Sequence, residues 1–110
     1  MSNLSNLRAA NTERQQEWDP DNLVSLAYRG NELAGEVGEA CNLIKKLERA
    51  RLGIRGTTAT CEQLIRELAD VVICVDLIAM MIDCNLSEAV KNRFNNTSVK
   101  YNLKTRMGDI

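Results

Sequence analysis

Gly35-Glu36-Val37-Gly38-Glu39-Ala40 and Glu67-Leu68-Ala69-Asp70-Val71 are the runs that decide how this chain is read. Each contains two acids three residues apart, a spacing that puts both carboxylates on one face of a helix. At about 100° per residue, the first pair falls on the edge of the stripe made by Ala40, Leu43 and Leu47. The second pair stands in the same relation to Val71, Cys74 and Ile78. Four carboxylates therefore lean toward helix-packing surfaces. Unpaired ionised carboxylates in a low-dielectric interior cost several kcal/mol each, or else take up protons. Two such pairs on neighbouring helices would also repel one another. A hard divalent cation relieves both problems, because Mg²⁺ favours oxygen ligands and keeps several waters. The chain has no histidine and no cysteines at ligand spacing, which argues against zinc and against a Glu-x-x-His di-iron site.

Composition points the same way. Hydrophobic residues make up 45% of the chain, with one proline and six glycines, which favours helices throughout. Aromatics at 4% argue against a sheet sandwich. At 110 residues the expectation is one domain over 1–110, with an N-terminal helix over 1–18 and a basic tail over 99–110. A net charge of −1 gives no general attraction to nucleic acid or to an anionic membrane. The apolar run from Val71 to Ile82 is too short to span a bilayer and is interrupted by Asp76. Cys41, Cys61, Cys74 and Cys84 form no C-x-x-C motif, and no signal peptide is evident. Reduced thiols and a cytoplasmic location are expected.

In chain order, a polar helix is expected from about Ser2 to Glu17, with Leu4, Leu7 and Ala10 or Asn11 as its contact face. Asp19-Pro20 reads as an N-cap with proline in the first helical position. A second helical region then runs to about Leu52, weakened by Gly30, Gly35 and Gly38, with a candidate break at Gly30-Asn31. Gly35 and Gly38 flank the acids, where a missing side chain admits either a ligand or a close-packed second helix. Residues 52–58 read as the main loop, with Gly53 as helix terminator. Thr60 and Gln63 have capping-box spacing and open a third helix, which runs from about Cys61 to Asp83. That helix is apolar nearly all round from Val71 to Ile82, more surface than so small a bundle can cover. A homo-oligomer is therefore expected, with this helix in the interface. Ser87 reads as the N-cap of a last helix through Val90 and Phe94, followed by a polar, basic end. The expected fold is all-α: a bundle of about four helices, completed by homo-oligomerisation.

The residues support a closer comparison. Leu33-Ala34-Gly35-Glu36-Val37-Gly38-Glu39-Ala40, a linker, and Glu67-Leu68-Ala69-Asp70-Val71-Val72 together resemble the MazG-like, all-α nucleoside triphosphate pyrophosphohydrolases. That family is marked by E-x-x-E followed by E-x-x-D. The likeness extends from about Trp18 to Arg106. Arg93-Phe94-Asn95-Asn96-Thr97-Ser98 is also similar to the family's K-F-N-x-T-S segment, with arginine where lysine is usual. The resemblance implies Mg²⁺-dependent hydrolysis of a (deoxy)nucleoside triphosphate to monophosphate and pyrophosphate by a dimer or tetramer, a nucleotide-pool house-cleaning role. Mn²⁺ is the alternative metal.

On this reading Glu36, Glu39, Glu67 and Asp70 hold metal, and Glu36 or Glu39 positions or deprotonates the attacking water. Glu32 is a further candidate ligand, its bland alternative being an ordinary surface acid. Positive charge for the distal phosphates falls to Lys45 or Lys46, or to Arg93 with Asn95 and Lys100 on the last segment. Arg93 and Asn95 are favoured because they match the tail motif. Trp18 is the one large flat side chain early in the chain able to meet a base, with plain packing as its alternative; Tyr28 and Asn42 are weaker candidates. The competing class is a non-catalytic, metal-binding helical oligomer serving as an interaction or regulatory protein.

Overall fold

The computed structural model describes residues 3–108. Among these residues are four α-helices and no strand, so the all-α class and the helix number agree with the sequence reading. They are α1 (Asn3–Trp18), α2 (Leu26–Arg51), α3 (Cys61–Met81) and α4 (Leu86–Lys100). The chain forms two compact units, one spanning Val24–Val75 and the other made of residues up to Leu23 and from Asp76 onward. The first unit contains α2 and most of α3. The second contains α1, the last residues of α3, and α4.

In the first unit, Ser25 caps α2 by accepting from the Tyr28 amide at 3.1 Å. Asp19-Pro20 does not start this helix. The Asn22 amide donates to the Asp19 carbonyl at 3.0 Å, and the Asp19 carboxylate accepts from the Leu23 amide at 2.9 Å. Proline here presets a tight turn, and Asn22 at φ 54° directs the chain out of it. No break occurs at Gly30-Asn31; α2 is continuous. A Cβ placed on Gly35 or Gly38 would meet nothing within 4 Å, so no second helix packs tightly at either position.

At its end α2 closes as a Schellman motif. Gly53 at φ +72° donates to the Ala50 carbonyl at 3.1 Å, and Ile54 donates to the Arg49 carbonyl at 3.1 Å. The Thr60 and Gln63 capping box forms in both directions, at 2.9 and 3.2 Å, and opens α3. Ala40, Ala59 and Cys74 are buried here, while Val37, Ile44, Ile65, Leu68 and Val72 remain 41–63% exposed. The fully buried apolar side chains are thus small, while Leu33, Leu43, Leu47, Leu64 and Val71 are half-buried.

In the second unit, α3 ends two residues earlier than expected. Asp83 takes the left-handed position (φ 55°) that glycine usually fills, and Cys84 donates to the Ala79 carbonyl at 2.8 Å. The cap of α4 is Asn85, not Ser87, accepting from the Glu88 amide at 3.2 Å. This helix continues through the Arg93–Ser98 segment to Lys100, so the basic tail begins later than position 99. It closes on Asn102 (φ 55°), with Leu103 donating to the Ser98 carbonyl at 2.8 Å.

The one buried residue of α1 is Asn11; Leu4 and Leu7 are half-buried and Ala10 is exposed. What holds α1 is polar. Asp76, fully buried on α3, accepts from Arg8 (Nη2 at 3.0 Å) and from Asn11 Nδ2 at 2.9 Å. Arg8 also donates to the Cys84 carbonyl at 2.9 Å. No described helix is long and apolar enough to cross a membrane.

Candidate metal centre

α2 and α3 run antiparallel, and their facing stripes carry the acids. Glu36, Glu67 and Asp70 each offer a carboxylate oxygen within 4.8 Å of the other two. Glu36 and Glu67 are half-buried and Asp70 is exposed. Glu39, one turn beyond Glu36, is exposed and lies against Glu67. The four acids read from the two runs therefore come together in one unit, on two helices.

Among the described residues, none of these four acids forms an ion pair. Glu36 Oε2 and Glu67 Oε2 are buried with no hydrogen-bond partner. Buried acceptors without a partner are rare in folded proteins. Proton affinity responds as like-charge crowding requires. Glu67 is held above the ordinary carboxylate range, chiefly by the close approach of the Glu36 carboxylate and then by burial. Glu39 is raised by the same kind of approach to Glu67, reinforced by that neighbour's charge. An all-oxygen donor set with partnerless buried atoms and clustered negative charge fits a hard divalent cation such as Mg²⁺ or Mn²⁺.

A second polar layer lies one turn away. Glu32 pairs with the buried Arg29 at 2.8 Å and accepts from Cys74 Sγ at 3.6 Å. Glu32 is thus not a solvated surface acid, because its Oε1 is engaged by both Arg29 and Cys74. Burial, and then the charge of Glu32, pushes the Cys74 thiol up to about 11, so it stays protonated at neutral pH. Sequence reasoning passed over Arg29. Its signal was present, because Arg29 precedes Glu36 by seven residues and so shares the face of Glu36 and Ala40.

The other candidates are placed as follows. Lys46 is half-buried on α2, in the same unit as the acids; Lys45 and Asn42 are exposed on the same helix. Tyr28 is 47% exposed, with the Arg29 guanidinium 5.9 Å from its ring centroid. Trp18, Arg93 and Asn95 belong to the other unit. Trp18 is exposed at the end of α1. Arg93 borders an apolar groove of about 560 Å³ along α4 with Val90, Phe94 and Leu103. Asn95 is committed to the chain end: its Nδ2 donates to the Met107 carbonyl at 3.1 Å and its Oδ1 accepts from the Met107 amide at 2.7 Å. No family model, curated protein or solved structure matches the chain.

Proposed function

We propose that this protein hydrolyses (deoxy)nucleoside triphosphates to the monophosphate and pyrophosphate, using Mg²⁺ held by Glu36, Glu67 and Asp70. One observation carries the reading. Three carboxylates from two helices converge within 4.8 Å while two of their buried oxygens lack any partner. A fold that needed only a solvated acidic face would not bury those atoms. The E-x-x-E and E-x-x-D runs supply the link to nucleotides, through the resemblance described above.

Bound at this site, Mg²⁺ would supply the positive charge and Lewis acidity that a polyanionic triphosphate requires beside an acidic pocket. The protein's own part is proton handling and orientation. Glu39, exposed beside the cluster with its proton affinity raised, takes a proton from the water that attacks the α-phosphorus. A bond forms from the water oxygen to phosphorus, the bridging bond to the β-phosphate breaks, and pyrophosphate leaves with the electron pair. Lys46 is the cation of the same unit suited to the distal phosphates. The substrate roles expected of Trp18 and Arg93 from the sequence stay outside this site, because both residues belong to the other unit. Asn95 serves instead to fix the chain end, because both ends of its amide are occupied. The outward-facing Val37, Ile44, Ile65, Leu68 and Val72 support assembly into a homo-oligomer.

Incubation with each nucleoside and deoxynucleoside triphosphate in the presence of Mg²⁺ tests the proposal. Monophosphate and pyrophosphate are the expected products. Diphosphate and orthophosphate would make the protein a phosphatase, and no turnover of any nucleotide would leave a metal-binding helical oligomer.

A further inference from the structure

The contacts across the first unit fix the register of α3 on α2. Glu32 meets Cys74, and Glu36 lies against Glu67 and Asp70. Continuing that antiparallel pairing brings Cys61, the first residue of α3, level with about residue 44 or 45 of α2. α2 itself continues to Arg51. At 1.5 Å per residue, the connecting loop must run back along α2 by roughly 10 Å before α3 can begin. A flush hairpin, with α3 starting at the end of α2, would set Glu67 beside the Lys45 region, and the acid pairs would miss each other.

Something must hold the loop in that folded-back path, and Arg49 is the residue placed to do it. Its guanidinium donates to the Thr57 carbonyl and, at 3.4 Å, approaches the Thr57 hydroxyl. It lies flat against Gly56, so closely that a Cβ there would come 2.6 Å from Arg49 Cζ and Nε. Gly56 also has φ +143°, a conformation that disfavours any other residue. Arg49 Nε is buried with no partner, and no ion pair joins this arginine to a carboxylate among the described residues. A buried, unpaired guanidinium nitrogen is costly. Here it accompanies the contact that sets the loop's course, between the Schellman close at Gly53 and the capping box at Thr60.

We propose that Arg49 is a positioning residue: its clasp on Gly56 and Thr57 sets the register of α3 on α2 and so holds Glu36 opposite Glu67 and Asp70. The inference rests on the acid cluster being the working site, but its test reads register and metal affinity without any nucleotide.

The exposed native cysteines Cys41 and Cys61 lie on facing helices of the same unit and serve as label sites. Nitroxides are placed on both, with Cys74→Ala and Cys84→Ala, and the labelled protein is diluted into unlabelled protein to suppress distances between subunits. Arg49→Met removes the fork and keeps most of the stem. Gly56→Ala displaces the guanidinium without altering it, and Arg49→Lys keeps the charge without the fork. In Arg49→Met and Gly56→Ala the spin–spin distance is expected to broaden and shift by about one helical turn, roughly 5 Å. Mn²⁺ affinity, read from the signal of the free aquo ion, should fall at least tenfold while far-ultraviolet helicity persists. Arg49→Lys should fall between these variants and the parent. An unchanged distance and unchanged Mn²⁺ affinity in these variants would overturn the proposal. Should Arg49→Met fail to fold, Gly56→Ala and Arg49→Lys decide the question by the same two measurements. A parent protein that binds Mn²⁺ in the expected register yet turns over no nucleotide would sink the proposed function and leave the role of Arg49 standing.

Discussion

Glu67 shows how a site can be costly until it is filled. Its proton affinity is raised chiefly by Glu36, and that of Glu39 by Glu67. Both acids hold protons more tightly in the folded chain than in the unfolded one. That preference favours folding at low pH and is lost as pH rises through the raised values. The gap in melting temperature between Glu67→Gln and the metal-free parent should therefore narrow as pH is lowered from neutral toward about 4.3, the ordinary glutamate value. Saturating Mg²⁺ should flatten that dependence, which calorimetry in buffers with and without chelator would show. Glu67→Gln should raise the metal-free melting temperature at pH 7.5 while abolishing the response to Mg²⁺ and any turnover; a lower melting temperature would contradict the crowding described here. The acids were legible in the sequence because helical spacing is local. Asp76 was not: it read only as an interruption in an apolar run, since its partners Arg8 and Asn11 lie 68 and 65 residues away. Asp76→Ala strips a counter-ion from Arg8 and an acceptor from buried Asn11, and should cost about 3 kcal/mol in denaturant unfolding.

The helices were legible for the same local reason, and their ends were legible only in part. Gly53 and the Thr60–Gln63 pair have signatures specific enough to read directly. Asp83 and Asn102 close α3 and α4 in the same left-handed conformation, yet neither residue type announces it as glycine does. Asp19-Pro20 suits a helix start and a turn equally well, and Asn22 settled the matter by taking positive φ. Ser87 lost to Asn85 because a cap two residues earlier lets Leu86 and Ser87 join the helix. Two substitutions test these ends. Gly53→Ala forces a Cβ into the left-handed region and should cost about 1 kcal/mol. Asn85→Ala removes the acceptor for the Glu88 amide and should also cost about 1 kcal/mol, measured from the urea midpoint.

For the molecule as a whole, the first unit buries only small apolar side chains completely and leaves Val37, Ile44, Ile65, Leu68 and Val72 exposed. That distribution is expected of a subunit, so light scattering should report a dimer or larger species. Ile65→Lys, which leaves all four acids untouched, should shift the equilibrium toward monomer. Cation binding should be visible at this scale too. At ten times its dissociation constant Mg²⁺ would add about 1.4 kcal/mol, roughly 5 °C or more for a chain of this size.

The way α1 is fastened has a practical corollary for anyone trimming the chain. A version beginning at Leu23 would lose the half-buried Leu4 and Leu7, but the one side chain that α1 buries fully is the polar Asn11. It would also strand the Asp76 carboxylate without its guanidinium or its amide. The damage from such shortening would be electrical, and replacing Asp76 with a neutral residue of similar size should restore much of what the deletion took away.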